Sequence, residues 1–168
     1  MNNISFYLAQ VIGLIGLIIL LISFHKNSRK ALLNYQIVSS LLFSVQYIIL
    51  GAMSGFVMNI MMCLRNLIFS KFDNVPHKYI TIVIIIMLVL SVFSYEGSIS
   101  LLPCIGSIIY TISLAKSNIT ITRVTNVFTC ILYIIYDIKF LAIAGLISAS
   151  IELLSTLIAI YRYDMKVK

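Results

Sequence analysis

Charged residues, proline and tryptophan are all scarce in this 168-residue chain. Only 10% of its residues are charged and 61% are hydrophobic, with a mean hydropathy of +1.10. An ordinary soluble domain carries roughly a quarter charged residues and about half apolar ones. A soluble fold of this size would have no interior large enough for so much apolar surface. The composition therefore excludes an ordinary soluble domain and favours a protein of the lipid bilayer.

The sequence also lacks the parts of common enzymes and metal sites. It has no Gly-x-Ser-x-Gly elbow, no HExxH, no phosphate-binding loop and no paired carboxylates. Its three cysteines fall in separate apolar segments without CxxC spacing, and its two histidines, His25 and His77, are isolated. We therefore expect no enzyme activity, no metal and no cofactor. The net charge of +7 is scattered between apolar runs, which argues against nucleic-acid binding.

Long apolar runs predict an all-α membrane protein with seven transmembrane helices in one membrane domain, residues 1–168. The runs cover about residues 4–24, 31–50, 55–69, 79–95, 98–115, 124–136 and 140–161. A helix needs about 17–25 apolar residues to cross the hydrocarbon layer, so the sixth run is short. A six-helix alternative would make that run a re-entrant piece.

The placement of basic residues predicts the orientation of the chain. With seven helices, one side of the membrane receives Lys26, Arg29, Lys30, Lys71, Lys78, Lys116, Arg123, Arg162, Lys166 and Lys168. The other side receives only Lys139, together with Glu96 and Asp137. Because cytoplasmic loops carry the excess of lysine and arginine, we expect the N-terminus outside and the C-terminus in the cytoplasm of a bacterial inner membrane.

Matching residues some 90 positions apart predict an internal repeat. Gly55 parallels Gly145, and residues 64–68 parallel residues 154–158 at the same distance. Gln10 to Gly13 parallels Pro103 to Gly106 at a distance of 93, so the offset drifts. Unit one covers about residues 4–73 and unit two about 98–164. The unmatched helix at about 79–95 gives both units the same orientation, in a 3+1+3 arrangement with a pseudo-two-fold axis along the membrane normal.

Three motifs carry a resemblance to a known family. They are Leu101-Leu102-Pro103-Cys104-Ile105-Gly106, Leu64-Arg65-Asn66-Leu67-Ile68-Phe69 and the turn Gly51…Gly55-Phe56-Val57-Met58-Asn59. In their order and spacing they resemble the YgjV family of bacterial inner-membrane proteins over nearly the whole chain. The resemblance implies a plan similar to that of the PQ-loop, SWEET and PnuC transporters. Members carry an acidic residue four positions after the glycine that opens the last helix, whereas this chain has Ala149 there and Glu152 one turn later.

Two ionisable residues lie within predicted helices, where a charge is costly and suggests a function. Glu152 precedes Arg162 by ten residues, which places it about 15 Å deep, near the midplane. In the repeat, Glu152 matches Met62, and Arg65 matches Ser155. We predict that Glu152 and Arg65 form a central ion pair that binds a polar substrate or couples its movement to protons. In the alternatives, Arg65 extends to the membrane interface, or the pair only locks the helices together.

Neutral polar residues complete the candidate site. Asn34, Asn59 and Asn126 are predicted to line a cavity between the units, although such side chains also serve as hydrogen-bonding links between helices. Pro103 and, at the matching place in unit one, Gln10 are candidates for a gating hinge. Pro103 also suits a plain helix start.

The sequence therefore predicts a carrier for a small polar solute, working by alternating access of two three-helix units. The alternative is a receptor or accessory protein that binds a ligand or partner in the same cavity without transporting it. A second copy of the chain is a further candidate partner. The identity of the solute depends on side-chain placement that the sequence alone does not fix.

Overall fold

In the described part of the chain, apolar runs with few helix-breaking residues fold into seven α-helices. The computed structural model describes residues 3–23, 29–72, 75–115 and 119–165, and it contains no β-strand in these ranges. The helices are α1 (Asn3–Ser23), α2 (Arg29–Ile49), α3 (Met53–Phe69), α4 (His77–Phe93), α5 (Leu101–Ala115), α6 (Ile119–Phe140) and α7 (Ile143–Ala159). A 3₁₀ turn, Ser98–Ser100, leads into α5, and a wider helical turn, Ile160–Met165, follows α7. Of the residues named above, His25, Lys26, Lys116, Lys166 and Lys168 lie outside the described ranges.

The predicted helices are confirmed, with one correction to their lengths. The sixth run was expected over residues 124–136, but α6 has 22 residues and is about 33 Å long at 1.5 Å per residue. Arg123 and Asp137 interrupt the apolar run without breaking the helix, so the prediction of a short segment was wrong at both ends. Three stretches of the described chain are long and apolar enough to cross a membrane: Asn3–Ser23, Thr120–Phe140 and Ile143–Arg162. The shorter apolar stretches are Leu33–Ile49, Met53–Phe69, His77–Phe93 and Ser98–Leu114.

The helices other than α4 pack in a closed series. Helix α2 lies between α1 and α3, and α6 lies between α5 and α7. Contacts of α1 with α7 and of α3 with α5 join the group α1–α3 to the group α5–α7. Helix α4 packs against α3 and α5 through Ile80, Val83 and Met87, while its remaining apolar side chains are largely exposed. An exposed apolar surface of this kind suits lipid contact.

The turns after α2 and after α6 have the same geometry, 90 residues apart. Gly51 and Leu141 both have positive φ, at +74° and +54°. The next residues, Ala52 and Ala142, share φ,ψ values of −92°, 75° and −81°, 74°. In each turn the alanine N–H donates to the carbonyl five residues earlier. Leu141 thus adopts a conformation that costs most residues energy, and it does so where the first turn has glycine.

A second recurring contact joins the first two helices of each group. The hydroxyl of Ser39 donates to the carbonyl of Gly16 at 2.8 Å, and the hydroxyl of Thr129 donates to that of Gly106 at 3.2 Å. Gly106 therefore corresponds in its contacts to Gly16, and the separation is again 90. The sequence matched Gly106 with Gly13 at a separation of 93, whereas these two contacts lie 90 residues apart.

Candidate functional site

Small and polar side chains on the inner faces of the helices leave a cavity of about 130 Å³. Helices α2, α3, α6 and α7 supply most of its lining, α1 supplies Leu20, α5 supplies Tyr110, and α4 supplies none. On α2 the lining positions are 36, 39, 40, 43 and 47, and on α6 they are 126, 129, 130, 133 and 137. Both series follow the 3.6-residue period of one helix face.

The lining residues fall largely into pairs separated by 90 residues. Eight such pairs account for most of the cavity wall: Leu20/Tyr110, Gln36/Asn126, Ser39/Thr129, Ser40/Cys130, Phe43/Tyr133, Tyr47/Asp137, Asn59/Ala149 and Met62/Glu152. The helices before and after α4 therefore contribute positions at one constant separation to the same cavity. Their side chains differ, so the cavity is chemically asymmetric.

Arg65 is held inside the protein by neutral partners. It is 3% exposed, and its Nε and Nη2 atoms donate to Oδ1 of Asn66 at 3.1 and 3.0 Å. Nη1 donates to the hydroxyl of Thr111 at 3.3 Å, and the guanidinium carbon lies 5.4 Å from the ring centroid of Tyr110. A cation at this distance from an aromatic face is attracted to it. The alternative in which Arg65 extends to the membrane interface was therefore wrong.

Glu152 faces the same cavity but does not pair directly with Arg65. Its carboxylate is the hydrogen-bond partner of the thiol of Cys130 at 3.9 Å, while the nitrogens of Arg65 bond to Asn66 and Thr111. The ion pair predicted from the sequence is not a direct hydrogen-bonded contact, because the adjacent Asn66 accepts from two nitrogens of the guanidinium group. The prediction that both charges belong to one site agrees with the cavity lining.

A second carboxylate, that of Asp137, also lies in the wall of the cavity. It is 1% exposed, and its Oδ1 accepts a hydrogen bond of 2.5 Å from the hydroxyl of Tyr47. Its Oδ2 is buried without a hydrogen-bond partner and lies close to Gly145. The expectation that Asp137 belongs to a loop was wrong because α6 continues to Phe140. The sequence signal that could have revealed Asp137 as a site residue is its separation of 90 residues from Tyr47.

Two of the three predicted asparagines line the cavity, and the third does not. Asn59, 3% exposed, lines the cavity and donates to the carbonyl of Gly55 at 3.0 Å. Asn126 also lines it and donates to the hydroxyl of Thr156 at 3.0 Å. Asn34 is exposed and lies outside the lining, so its prediction was wrong. At 100° per residue, it lies about 200° around α2 from the lining position two residues later.

Gln10, the eighth residue of α1, and Pro103 lie outside the cavity wall. Gln10 donates to the carbonyl of Leu141 at 2.8 Å and accepts from the amide of Gln46 at 3.1 Å, so it ties α1 to α2 and to the α6–α7 turn. Pro103 is the third residue of α5, where a missing N–H costs no helical hydrogen bond. At a separation of 90, the position matching Pro103 is Gly13 and not Gln10, and the gating hinge at Pro103 and Gln10 stays a prediction.

The described residues contain no group of three His, Cys, Asp or Glu side chains that could hold a metal ion. The polar groups of the cavity instead suit hydrogen bonding and charge recognition of a small molecule. Tyr110 and Tyr133 add aromatic faces to these groups, and neither tyrosine was predicted as a site residue.

Comparison with known proteins gives a family. The sequence profile of the Imp-YgjV family, described as a bacterial inner membrane protein, matches residues 7–166, nearly the whole chain. Neither the curated proteins nor the solved structures contain a match.

Proposed function

Because the chain belongs to the Imp-YgjV family of bacterial inner membrane proteins, we propose that it is a carrier for a small polar solute. All seven helices cross the membrane, and the solute binds in the cavity described above. Two three-helix units, α1–α3 and α5–α7, rock against each other and expose the cavity to one side at a time.

The repeated geometry supports the two-unit plan. The turns after α2 and α6 share their dihedral angles, and corresponding contacts recur 90 residues apart. The contacts between the two groups follow the same plan. If α1, α2 and α3 are matched with α5, α6 and α7, the contact of α1 with α7 becomes that of α5 with α3, and both contacts are present. Units related in this way have the same orientation, as in parallel-repeat carriers, and α4 supplies the extra crossing between them.

The ends of the helices support an orientation with the N-terminus outside. Arg29, Lys30, Lys71, Lys78 and Arg123 lie at one end of the helix bundle under the seven-span plan, and only Lys139 is basic at the other. Such a bias is typical of the cytoplasmic side. The bond between Tyr47 and Asp137 then closes the outer end of the cavity.

The single observation that carries the proposal is the paired lining of the cavity. Carriers with parallel repeats bind their substrates at the repeat interface, near the bilayer midplane. Here corresponding positions of both units form one space with polar and apolar walls, and an ionisable residue in such a place is a functional hypothesis by default. A movement of one unit relative to the other would necessarily reshape this space.

Counterflow in proteoliposomes tests the proposal. Vesicles loaded with single unlabelled metabolites should take up the same labelled metabolite against its net gradient, for at least one small polar solute. Glu152→Gln should lower this exchange, whereas Asn34→Gln, on an exposed position outside the cavity, should not. Ligand binding without exchange would instead indicate the receptor alternative. Normal exchange by Glu152→Gln at every pH would end a coupling role for this carboxylate.

A further inference from the structure

Two oppositely charged side chains, Arg65 and Glu152, face one cavity, and their hydrogen bonds go to other groups. The guanidinium of Arg65 has five N–H donors, of which the hydrogen bonds to Asn66 and Thr111 use three. Both partners are neutral, so the positive charge has no counter-ion among them. Two N–H donors remain for a further acceptor.

The carboxylate of Glu152 also has a neutral hydrogen-bond partner. Its hydrogen-bond partner is the thiol of Cys130, a weak and neutral donor. The side chain is half-buried and belongs to the cavity wall. Asp137, the other carboxylate of the wall, differs because its Oδ1 accepts from Tyr47 and its Oδ2 is sealed from open space. Glu152 is therefore the carboxylate that a molecule in the cavity can reach.

A charge in a low-dielectric interior is costly unless it is paired. A simple cation would pair with Glu152 but would bring positive charge towards Arg65. A simple anion would have the reverse problem. A molecule that carries both charges at opposite ends satisfies both side chains and adds no net charge to the protein interior.

The volume restricts the molecule further. Pockets for drug-sized ligands measure roughly 300–1,000 Å³, whereas this cavity measures about 130 Å³. It suits a compound of amino-acid size better than a nucleotide or an oligosaccharide.

We propose that the cavity binds a small zwitterion, with its ammonium group at the Glu152 carboxylate and its carboxylate at the Arg65 guanidinium. The inference rests on the proposed carrier function and names its substrate class. The neutral amides of Gln36 and Asn59 would accept or donate the remaining hydrogen bonds.

Binding of matched probes to the purified full chain tests the zwitterion. The probes are glycine, 3-aminopropanoate and 4-aminobutanoate, each compared with the amine and the carboxylate of the same chain length. At least one zwitterion should bind about tenfold more tightly, or better, than both of its single-charge counterparts, because each charge-assisted contact is worth on the order of a factor of ten. Equal binding of zwitterions and single-charge compounds by the folded protein would overturn the proposal.

The variant Glu152→Gln assigns the ammonium site. It should abolish the preference for the zwitterion over the carboxylate compound without weakening the binding of the carboxylate compound. Asn34→Gln is the control, since Asn34 is exposed and lies outside the cavity. This variant should keep the zwitterion preference. An unchanged preference in a folded Glu152→Gln protein, checked by circular dichroism and gel filtration, would overturn the assignment.

The same probes separate this inference from the carrier function. Zwitterion binding without counterflow would support the ligand class and refute the carrier. Counterflow of a neutral solute without zwitterion binding would support the carrier and refute the zwitterion.

Discussion

The hydrogen bond between Tyr47 and Asp137 gives the sharpest prediction for transport. Under the proposed plan it fastens the two units together at the outer end of the cavity. Tyr47→Phe removes the hydroxyl that donates to Oδ1 of Asp137 at 2.5 Å, and Oδ2 of the same carboxylate is already without a partner. The variant should therefore favour the conformation in which the outer end is open.

The magnitude follows from the strength of such a bond. Side-chain hydrogen bonds between membrane helices average about 0.6 kcal/mol and reach about 1.7 kcal/mol, and bonds to charged groups lie at the upper end. We take about 1–2 kcal/mol for this bond. The ratio of open to closed protein should then rise about 5- to 30-fold.

Cys130 provides the assay because it is the cysteine in the cavity wall. With Cys63 and Cys104 replaced by alanine, Cys130 is the only thiol of the chain. A membrane-impermeant maleimide added from outside should label it about 5- to 30-fold faster in Tyr47→Phe than in the parent.

Tyr133→Phe is the matched control for this experiment. It removes a hydroxyl from the same cavity, but that hydroxyl bonds to Ser107 within the second unit, at 2.9 Å. Its labelling rate should stay within about twofold of the parent. Equal rates in the two variants, with thermal unfolding showing both proteins folded, would refute the closure of the outer end by Tyr47 and Asp137.

Three further predictions concern stability, measured as the free energy of unfolding in mixed micelles. Gly145→Ala should destabilise the protein by about 1–3 kcal/mol, because the new Cβ would stand 2.8 Å from a carboxylate oxygen and 2.9 Å from a tyrosine hydroxyl; wild-type stability would contradict this packing. Leu141→Gly should stabilise it by about 0.5–1 kcal/mol, since φ is +54° and the side chain is 63% exposed. Gly51→Ala should destabilise the equivalent turn, and equal signs for these two changes would refute the strain argument. Asn66→Ala should cost about 1–3 kcal/mol because it removes the acceptor of two N–H groups of Arg65, and a loss below about 0.5 kcal/mol would show that another group takes over.

The helices could be predicted from the sequence because apolar length is a strong and local signal. The length of helix α6 was underestimated because polar residues near its ends, such as Asp137, were expected to lie outside it. A buried carboxylate with a hydrogen-bond donor from another helix does not break a helix, and that donor, Tyr47, is 90 residues away. The sequence contains both residues, but only the fold brings them together.

The candidate site was predicted in part for a related reason. Asn59 and Asn126 lie on the faces that the helix packing turns inward, whereas Asn34 does not, and composition does not distinguish the three. The partner of Arg65 depended on rotamers: Asn66, its neighbour in sequence, competes successfully with the more distant Glu152. Pairwise charge arguments miss such a neutral competitor.

The contact between Tyr47 and Asp137 has a consequence for how such a protein can arise. The two residues occupy corresponding positions of the proposed units and touch each other, so they lie beside the symmetry axis. In a homodimer of identical units, the axis would set the same side chain against itself. Two aspartates would then repel each other, and two tyrosines would provide no carboxylate to accept their hydrogen bonds. A donor facing an acceptor at this position requires two copies that have diverged, which a gene duplication within one chain permits.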